Sequence, residues 1–376
     1  MNFDFSDEQQ MLQESTRRVL AAAGDFEQRN AQRDHALGYS TQLWRELADL
    51  GLLALNIPEA DGGIGAGAVD NMLVCEAMGE GLVLEPFHAS AVEATSLLAR
   101  LADEQQRQRW LPALASGELI AVLAHAESSN GGALEPTQTR ARPSADGWQL
   151  DGHKSMIYHA PSAALLLVSA QIEGAPGLAL FAVPADAAGL SLTPVATLDA
   201  QRAADVVLRG VQVGADARIG SEISKALSEV LDFSLAALCA DAFGAIQSAL
   251  HATIEYSRER KQFGQPIGRF QALQHRMADM LIHAEQARSM CYLAASHGDD
   301  PDPAQRRRIL SAAKALIGQA ARKVGQEAVQ LHGGMGMTDE LKVSHYFRRL
   351  TAFELRGGST ASHLQRLATD ISNDRS

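Results

Sequence analysis

Cysteine is scarce in this sequence, and its three cysteines, Cys75, Cys239 and Cys291, lie far apart without a CxxC pair. So sparse and odd a set argues against a disulfide framework and against a zinc site, and it suits a reducing cytoplasm. The N-terminus is acidic and lacks an apolar segment, so no signal peptide is expected. The longest uninterrupted apolar runs have the length of a strand, which predicts no membrane span. We therefore expect a cytoplasmic location.

Basic residues are fewer than acidic residues, with 33 Lys and Arg and 45 Asp and Glu. The resulting net charge of -12 argues against a nucleic-acid partner, whose phosphates attract basic surfaces. The remaining composition is ordinary for a globular protein, with 46% hydrophobic and 21% charged residues. A length of 376 residues is enough for two or three domains.

The sequence divides into three parts that differ in their pattern of apolar residues and turn signals. Residues 1–118 show helical apolar spacing. Residues 119–218 carry short apolar runs separated by turn signals such as Asp146-Gly147 and Asp151-Gly152, which predicts a small antiparallel barrel or sandwich. Residues 219–376 return to long, alanine-rich helical stretches. The sequence thus predicts an α+β multidomain protein with boundaries near residues 118 and 218.

Two motifs in the last part are the most specific. Arg260-Lys261-Gln262-Phe263-Gly264 closes one predicted helix, and Gln330-Leu331-His332-Gly333-Gly334 closes another. Each motif by itself also has a structural explanation. Arg260 is then a surface cation, Phe263 a hydrophobic staple, and His332-Gly333-Gly334 a helix C-cap. Together with Pro58-Glu59-Ala60-Asp61-Gly62-Gly63 and Asp151-Gly152-His153-Lys154, their order resembles the acyl-CoA dehydrogenase family over nearly the whole chain.

Within that family, the chain resembles most the small-subunit type of pimeloyl-CoA dehydrogenase, through Gly336 to Leu341 and His345-Tyr346-Phe347. The resemblance implies an N-terminal helical domain, a middle β domain and a C-terminal four-helix domain. It also implies α,β-desaturation of an acyl-CoA with FAD as cofactor and electron-transfer flavoprotein as electron acceptor. A carboxylate removes the α-proton, hydrogen bonds to the thioester oxygen stabilise the enolate, and the flavin takes the hydride.

The resemblance also implies which residues bind FAD. In the family, the two motifs hold the pyrophosphate and adenine half of an FAD that is bound mainly by a neighbouring subunit. An arginine and the backbone N–H groups of a glycine turn suit a dianionic pyrophosphate. The matching positions here are Arg260, Phe263, Gln271, Gln330, Gly333 and Gly334.

The catalytic carboxylate is missing from both positions that the family uses. Aligning the family's Ile-Gln-Arg on Leu364-Gln365-Arg366 places Ser359 where the glutamate should be. Other members carry the glutamate ten residues before the glycine of a Gly-Leu-x-Gln motif. That glycine is Gly244 here, and the position ten residues earlier is Ser234. A serine hydroxyl without an activating base does not take an α-proton.

A relocated base is one answer to this absence. Asp241 lies seven residues after Ser234, two helical turns along the same face. Asp232, Glu354 and His363 are further candidates. For Asp241 the ordinary reading is a surface or packing carboxylate, for His363 a satisfied polar residue of the last helix, and for all four we prefer a structural role.

The middle segment departs from the family where the flavin ring binds. The family's Thr-Glu-Pro-x-Ala-Gly-Ser-Asp is Ala126-Glu127-Ser128-Ser129-Asn130-Gly131-Gly132-Ala133 here. Further on, Met156 and Tyr158 replace the tryptophan that covers the flavin and the threonine that bonds its edge. The flavin-ring cradle is therefore eroded, whereas the pyrophosphate clamp is intact.

Three hypotheses remain open at this point. The chain could be the base-lacking subunit of a hetero-oligomer, most simply α2β2, whose related partner carries the glutamate. It could be an active homo-oligomeric enzyme with a relocated base. It could also be a flavin monooxygenase or a non-catalytic binding protein on the same fold. Small residues lie along one helix (Ala236, Ala237, Ala240, Ala242 and Ala245). One interpretation is helix propensity and close packing. The other is a wide pocket for a long or bulky acyl group, such as a dicarboxylic or steroid side-chain thioester.

Overall fold

The computed structural model describes residues 5–24, 26–129 and 137–373. The chain forms two compact units, each assembled from separated segments. The helical unit combines residues 1–26, 68–83 and 235–376, and the sheet unit combines residues 27–67 and 84–234. The N-terminal 118 residues are therefore shared between the two units.

Helices dominate the described residues. Eleven of them are α-helices, and an eight-residue π-helix, Phe87–Ala94, precedes the fifth. Their bounds are α1 (Asp7–Ala22), α2 (Phe26–Asp34), α3 (Thr41–Asp49), α4 (Ala68–Glu80), α5 (Thr95–Leu101), α6 (Glu104–Ala115), α7 (Ser224–Glu259), α8 (Gln271–His297), α9 (Pro303–His332), α10 (Lys342–Leu355) and α11 (Thr360–Asn373).

The sheet unit contains eight strands in the order β6-β7-β3-β2-β4-β5-β8, with β1 paired to β4. The pairings of β1 and β2 with β4 are parallel, so the sheet is not purely antiparallel as expected. A two-stranded hairpin, β9 with β10, lies in the helical unit. The strand bounds are β1 (Ala121–Ala124), β2 (Arg140–Ser144), β3 (Gly147–Tyr158), β4 (Leu165–Ile172), β5 (Leu178–Pro184), β6 (Leu190–Ala196), β7 (Arg202–Gly214), β8 (Arg218–Ile219), β9 (Lys261–Gln262) and β10 (Gln265–Pro266).

The core of the sheet unit is built where β4 and β5 meet helices. Leu167 and Leu180 are fully buried and belong to one apolar cluster with Leu97 of α5 and Leu227 of α7. Burying such a side chain stabilises the fold by about 1.5–3 kcal/mol, so this cluster fixes the first turns of α7 against the sheet.

In the helical unit, α4 and α7 approach each other closely through glycine. A Cβ atom on Gly79 would collide with the backbone carbonyl of Asp241, and a Cβ atom on Gly244 would collide with that of Glu76. Only glycine lets two helix backbones come this near, so both positions are fixed by packing. The C-terminal part has three long helices, of 36, 27 and 30 residues, and two helices of 14.

Helix α7 is long and apolar enough to cross a membrane by length and composition, which the sequence prediction had not anticipated. However, 83% of its most apolar window is buried inside the protein, as in the core helix of a globular domain.

The three cysteines are free and buried.

Candidate functional site

The first group of predicted cofactor residues follows the C-terminus of α7. The backbone N–H of Arg260 donates to the carbonyl oxygen of Tyr256 over 2.8 Å. Strands β9 and β10 then pair antiparallel, so Phe263 and Gly264 form the two-residue turn of a hairpin. Their φ values are both positive, 52° and 79°, as a type I′ turn requires. The hairpin thus fixes the chain directly after Arg260, whose side chain is exposed.

Phe263 is the unusual residue of this hairpin. Its ring is 91% exposed, although a large apolar side chain normally gains by burial. Its left-handed backbone also costs roughly 1–2 kcal/mol relative to the right-handed region. The ring meets Phe270 edge to face, with centroids 6.1 Å apart, and the exposed Gln271 begins α8 next to it. The positive φ is the one that the turn requires, and the exposed face of the ring is open to further contacts.

The second group lies at the C-terminus of α9. Gln330 is exposed, and its carbonyl oxygen accepts from the backbone N–H of Gly333. Gly333 has φ 64° and ψ -141°, a conformation that side chains disfavour. No heavy atom lies within 4 Å of where a Cβ atom would stand on Gly333 or Gly334. The turn therefore presents open backbone.

Tyr256 and His332 join these two groups. Their rings stack with centroids 4.3 Å apart, and the Tyr256 hydroxyl donates to the carbonyl oxygen of His332 over 3.4 Å. Burial lowers the pKa of His332, whose Nδ1–H donates to the Ala328 carbonyl oxygen over 2.8 Å. Tyr256 lies one turn before Arg260, and His332 directly precedes Gly333. The structure thus brings the arginine segment and the glycine turn together.

This arrangement fits the pyrophosphate of FAD in its chemistry. Arg260 provides an exposed guanidinium, and Gly333 and Gly334 provide backbone that a phosphate can approach without meeting a side chain. The cofactor role of Arg260, Phe263, Gln271, Gln330, Gly333 and Gly334 stays a prediction.

Ser359, at the family's usual base position, has a local structural task. Its hydroxyl accepts from the backbone N–H of Ser362 over 3.2 Å, and its carbonyl oxygen accepts from the N–H of His363. These contacts are those of a serine N-cap at the start of α11. The hydroxyl is therefore used to begin a helix.

Glu354 and His363 hold the same loop from its two sides. The Glu354 carboxylate accepts from the backbone N–H and the hydroxyl of Thr360, over 2.9 and 2.7 Å. His363 Nε2–H donates to the Gly357 carbonyl oxygen over 2.8 Å, and its Nδ1 lies 3.1 Å from the Ser311 hydroxyl. Burial lowers the pKa of His363 to about 4, so the ring is neutral near pH 7. These contacts are typical of structural side chains, and the preference for a structural role of Glu354 and His363 stays a prediction.

A buried lysine completes this loop. The Lys314 ammonium donates to the carbonyl oxygens of Phe353 and Gly358, over 2.9 and 2.8 Å, and lies 4.1 Å from the Phe353 ring centroid. Burial lowers its pKa. A cation at the C-terminus of α10 also interacts favourably with that helix dipole. The loop that would carry the base in the family is therefore fixed by Lys314, Glu354 and His363.

Ser234, at the family's other base position, lies beside a carboxylate. Its hydroxyl donates to Glu93 Oε1 over 2.6 Å, and His88 Nε2 lies 3.1 Å from the same hydroxyl. His88 and Glu93 both belong to the π-helix, in which residues five apart share one face. The sequence analysis missed both residues. The available signal was that Glu93 is the one acidic residue between Glu85 and Asp103.

Asp241, the other carboxylate on α7 that was considered, is an ion-pair partner. Arg349 Nε and Nη2 donate to its two oxygens over 2.8 and 2.6 Å, and both side chains are largely buried. This pairing is typical of a carboxylate with a packing role, and a catalytic role of Asp241 stays a prediction. Asp232 lies half-buried near the start of the same helix.

In the sheet unit, a buried ion pair occupies the start of the expected flavin-ring cradle. Lys154 is fully buried and donates to Glu127 Oε1 over 2.8 Å. Thr139 donates to the same carboxylate through its backbone N–H and its hydroxyl. Burial opposes ionisation of Glu127, but these hydrogen bonds outweigh it and lower its pKa to about 2. Burial lowers the pKa of Lys154 to about 8. The pair ties β3 to the segment after β1.

The remaining cradle positions are partly outside the described residues. Asn130, Gly131, Gly132 and Ala133, which align with the family's last four motif residues, lie outside the described residues. Met156, which replaces the tryptophan, is 42% exposed and has a positive φ of 56°. Its backbone N–H donates to Asp205 Oδ1 over 2.8 Å.

Three family models match the chain in succession. They are the N-terminal domain of acyl-CoA dehydrogenase over residues 6–118, the middle domain over residues 122–211 and the C-terminal domain over residues 225–372. The predicted fold, with helical, β and helical parts in this order, is confirmed.

Individual proteins are similar over the same full length. A probable acyl-CoA dehydrogenase of Bacillus subtilis, YngJ, is 30% identical over 98% of both chains. A steroid ACAD variant described as Tcur3481-Tcur3483 is 31% identical, with a TM-score of 0.88 over 98% of this chain and 99% of that chain. The ChsE4-ChsE5 complex of Mycobacterium tuberculosis is 26% identical, with a TM-score of 0.88 over 99% of both chains.

Proposed function

Because the chain belongs to the FAD-dependent acyl-CoA dehydrogenase family, we propose that it acts as one subunit of a hetero-oligomeric acyl-CoA dehydrogenase. In this assembly, it completes the FAD site of a related partner chain, and the partner carries the catalytic glutamate. The finer assignment is to the small-subunit type of pimeloyl-CoA dehydrogenase in an α2β2 complex. A cytoplasmic location and reoxidation by electron-transfer flavoprotein belong to the same proposal.

The exposed Phe263 is the observation that carries this proposal. It stands 91% exposed and in a strained conformation on a hairpin directly after the exposed Arg260. Within the described chain, its aromatic contact is with Phe270 alone, which leaves most of the ring uncovered. A cofactor bound mainly by a neighbouring subunit would cover the ring and neutralise the arginine.

The serines at the two usual base positions support a division of labour. Ser359 caps α11, and the loop before it is fixed by Lys314 and Glu354. A glutamate supplied by the partner's own site would therefore be the base for the flavin that this chain helps to hold. The similarity to the ChsE4-ChsE5 complex, which is named for two chains, supports a hetero-oligomeric assembly.

The chemistry divides between the cofactor and the protein. When bound, FAD would supply the acceptor for the hydride of the substrate β-carbon. Arg260 would neutralise the pyrophosphate, and the open backbone of Gly333 and Gly334 would orient it. Tyr256 and His332 hold the arginine segment and the glycine turn in one arrangement before FAD binds. Less of the binding free energy is therefore spent on ordering these groups.

A long or bulky acyl thioester is the substrate class that we propose. Ala236, Ala237, Ala240, Ala242 and Ala245 are all buried on α7. The similarity to a protein described as a steroid ACAD favours the same class. Fatty-acyl and steroid side-chain thioesters are therefore the first compounds to assay.

Co-expression with a related chain that carries the glutamate tests the assembly. We expect a complex of the two chains by native mass measurement, with two flavins for every two copies of each chain. The chain purified alone should retain little flavin. A homotetramer with one FAD per chain, or a complex with four flavins, would contradict the proposal.

A second candidate is an active homo-oligomer with a relocated base, and one contact favours it. Glu93 places a carboxylate against Ser234, so the chain has an acid at this position after all. A flavin monooxygenase or binding protein of this fold would instead show no thioester turnover in either assembly, and the same assays separate it.

A further inference from the structure

The carboxylate of Glu93 lies where a longer side chain at position 234 would end. Ser234 Oγ is one bond from its Cβ atom, and Glu93 Oε1 lies 2.6 Å beyond that oxygen. A glutamate at position 234 would carry its carboxylate a similar distance from the same backbone. The acid that this helix position lacks is thus supplied by another segment of the chain, 141 residues away.

The π-helix Phe87–Ala94 creates this contact. Its backbone hydrogen bonds join residues five apart, as in the bond from Thr95 N–H to the Ser90 carbonyl oxygen. His88 and Glu93 differ by five positions, so they occupy one face, and His88 Nδ1 lies 3.8 Å from Glu93 Oε1. An α-helix would separate them by about 140° (five residues at 3.6 per turn). Inserted π-turns of this kind frequently occur at functional sites.

The surroundings of Glu93 leave its carboxylate available. Its side chain is 20% exposed, and that of His88 is 15% exposed. The Glu93 carboxylate contacts the neutral Ser234 hydroxyl and the His88 imidazole, whereas Asp241 is bound at both oxygens by Arg349. Of these two carboxylates, Glu93 is therefore the one that can accept a proton without breaking a two-point ion pair.

We infer that Glu93 accepts the α-proton of an acyl thioester bound to this chain, and that Ser234 and His88 position its carboxylate. The Cα–H bond breaks, the proton passes to Glu93, and the electron pair remains on the substrate as the enolate. The reverse step returns the proton, so this half of the reaction needs no oxidant. The inference rests on the acyl-thioester chemistry of the proposed function. It gives this chain a base of its own, as in the second candidate function, whether or not a partner chain carries another.

Exchange of the α-hydrogen for deuterium in D2O measures this step without any net oxidation. The full chain is used with its flavin and with any partner whose own base glutamate has been changed to glutamine. A panel of short, long and steroid side-chain acyl-CoA thioesters serves as the probe, and NMR follows the α-hydrogen signal. We expect exchange by the wild-type chain and a decrease of roughly 10²- to 10⁴-fold in Glu93→Gln, with unchanged acyl-CoA affinity.

Moving the carboxylate from position 93 to position 234 separates an effect on catalysis from an effect on folding. The double variant Glu93→Ser with Ser234→Glu returns the acid to α7, and we expect it to recover part of the exchange that Glu93→Ser loses. Thermal melts report whether each variant folds. Wild-type exchange in Glu93→Gln, or absence of exchange by the wild-type chain on every thioester, would overturn the inference. Subunit mass and flavin count, which decide the hetero-oligomer, should not change in Glu93→Gln.

Discussion

Asp241 and Arg349 form a two-point ion pair, with donor–acceptor distances of 2.8 and 2.6 Å. The aspartate is 14% and the arginine 7% exposed, and the residues are 108 positions apart in the sequence. Because both oxygens accept charged hydrogen bonds, the carboxylate stabilises the contact between α7 and α10. It is poorly placed to remove a proton from a substrate.

Asp241→Ala should therefore lower the free energy of unfolding by about 3 kcal/mol, because the largely buried Arg349 loses the carboxylate that pairs with it. Urea denaturation measures the change. The matched control is Glu255→Ala, which removes an exposed pair with Arg258 and should cost at most about 0.5 kcal/mol. Unchanged stability together with lost α-hydrogen exchange in the assembled enzyme would instead assign Asp241 to catalysis.

Arg260→Ala should weaken flavin retention without unfolding the chain. A charge-assisted contact contributes roughly 1.5–3 kcal/mol, so we expect about a 10- to 100-fold loss of affinity. Bound flavin per chain in the assembled complex is the readout, together with a thermal melt. Gln330→Ala should act in the same direction.

Lys261→Ala is the control for Arg260, because it removes the same charge from the neighbouring exposed residue. It should retain flavin almost fully. If both variants behave alike, a general electrostatic attraction holds the flavin, and the specific clamp is refuted.

Gly333→Ala and Gly334→Ala should separate backbone strain from ligand approach. Alanine at Gly333 must adopt φ 64° and ψ -141°, which costs of the order of 1–3 kcal/mol of stability. Gly334 has no such φ and faces open space, so Gly334→Ala should leave stability within about 0.5 kcal/mol. It should nevertheless reduce flavin binding, because a methyl group would stand on the open backbone. Full flavin retention in Gly334→Ala would remove this turn from the cofactor site.

Glu76 should make stability depend on pH. Burial and the neighbouring Glu80 raise its pKa from 4.5 to about 7, although Arg17 donates to Oε1 over 3.0 Å. The native carboxyl therefore keeps its proton to higher pH than the unfolded one. The free energy of unfolding should fall as pH rises between those two values, by up to roughly 3 kcal/mol.

Glu76→Gln should remove this loss, so that the variant is the more stable protein above neutral pH and nearly equal to wild type near pH 4. Urea denaturation across that range is the measurement. Asp70→Asn, on the same helix α4, serves as the control because Asp70 is only half-buried, whereas Glu76 is buried. Parallel pH profiles for wild type and Glu76→Gln would show that Glu76 does not carry the effect.

Local sequence was sufficient to predict elements whose pattern is short-range. Helical apolar spacing was expected in residues 1–118, and α1 runs there over Asp7–Ala22 behind a Ser6 capping box. Short apolar runs were expected to form strands in residues 119–218, and β4 covers Leu165–Ile172. Such features depend on neighbours within a few residues, which the sequence displays directly.

The sheet was less accessible to the same reasoning. Turn signals indicated hairpins, and hairpins are antiparallel. The parallel pairing of β2 with β4 joins strands that are not consecutive, and the pairing of β1 with β4 does the same. No local signal encodes which distant strand edge becomes the neighbour.

By itself, the sequence determined the family, the order of helical and β parts, the motifs around Arg260 and Gly333, and the absence of glutamate at positions 234 and 359. These follow from residue identities along the chain. Only the tertiary structure decided what each carboxylate does. It paired Asp241 with Arg349 and placed Glu93 against Ser234, over separations of 108 and 141 residues. The reason is physical, because the role of an acid depends on which charges and donors folding brings within about 3–4 Å of it, and neither contact is local in sequence.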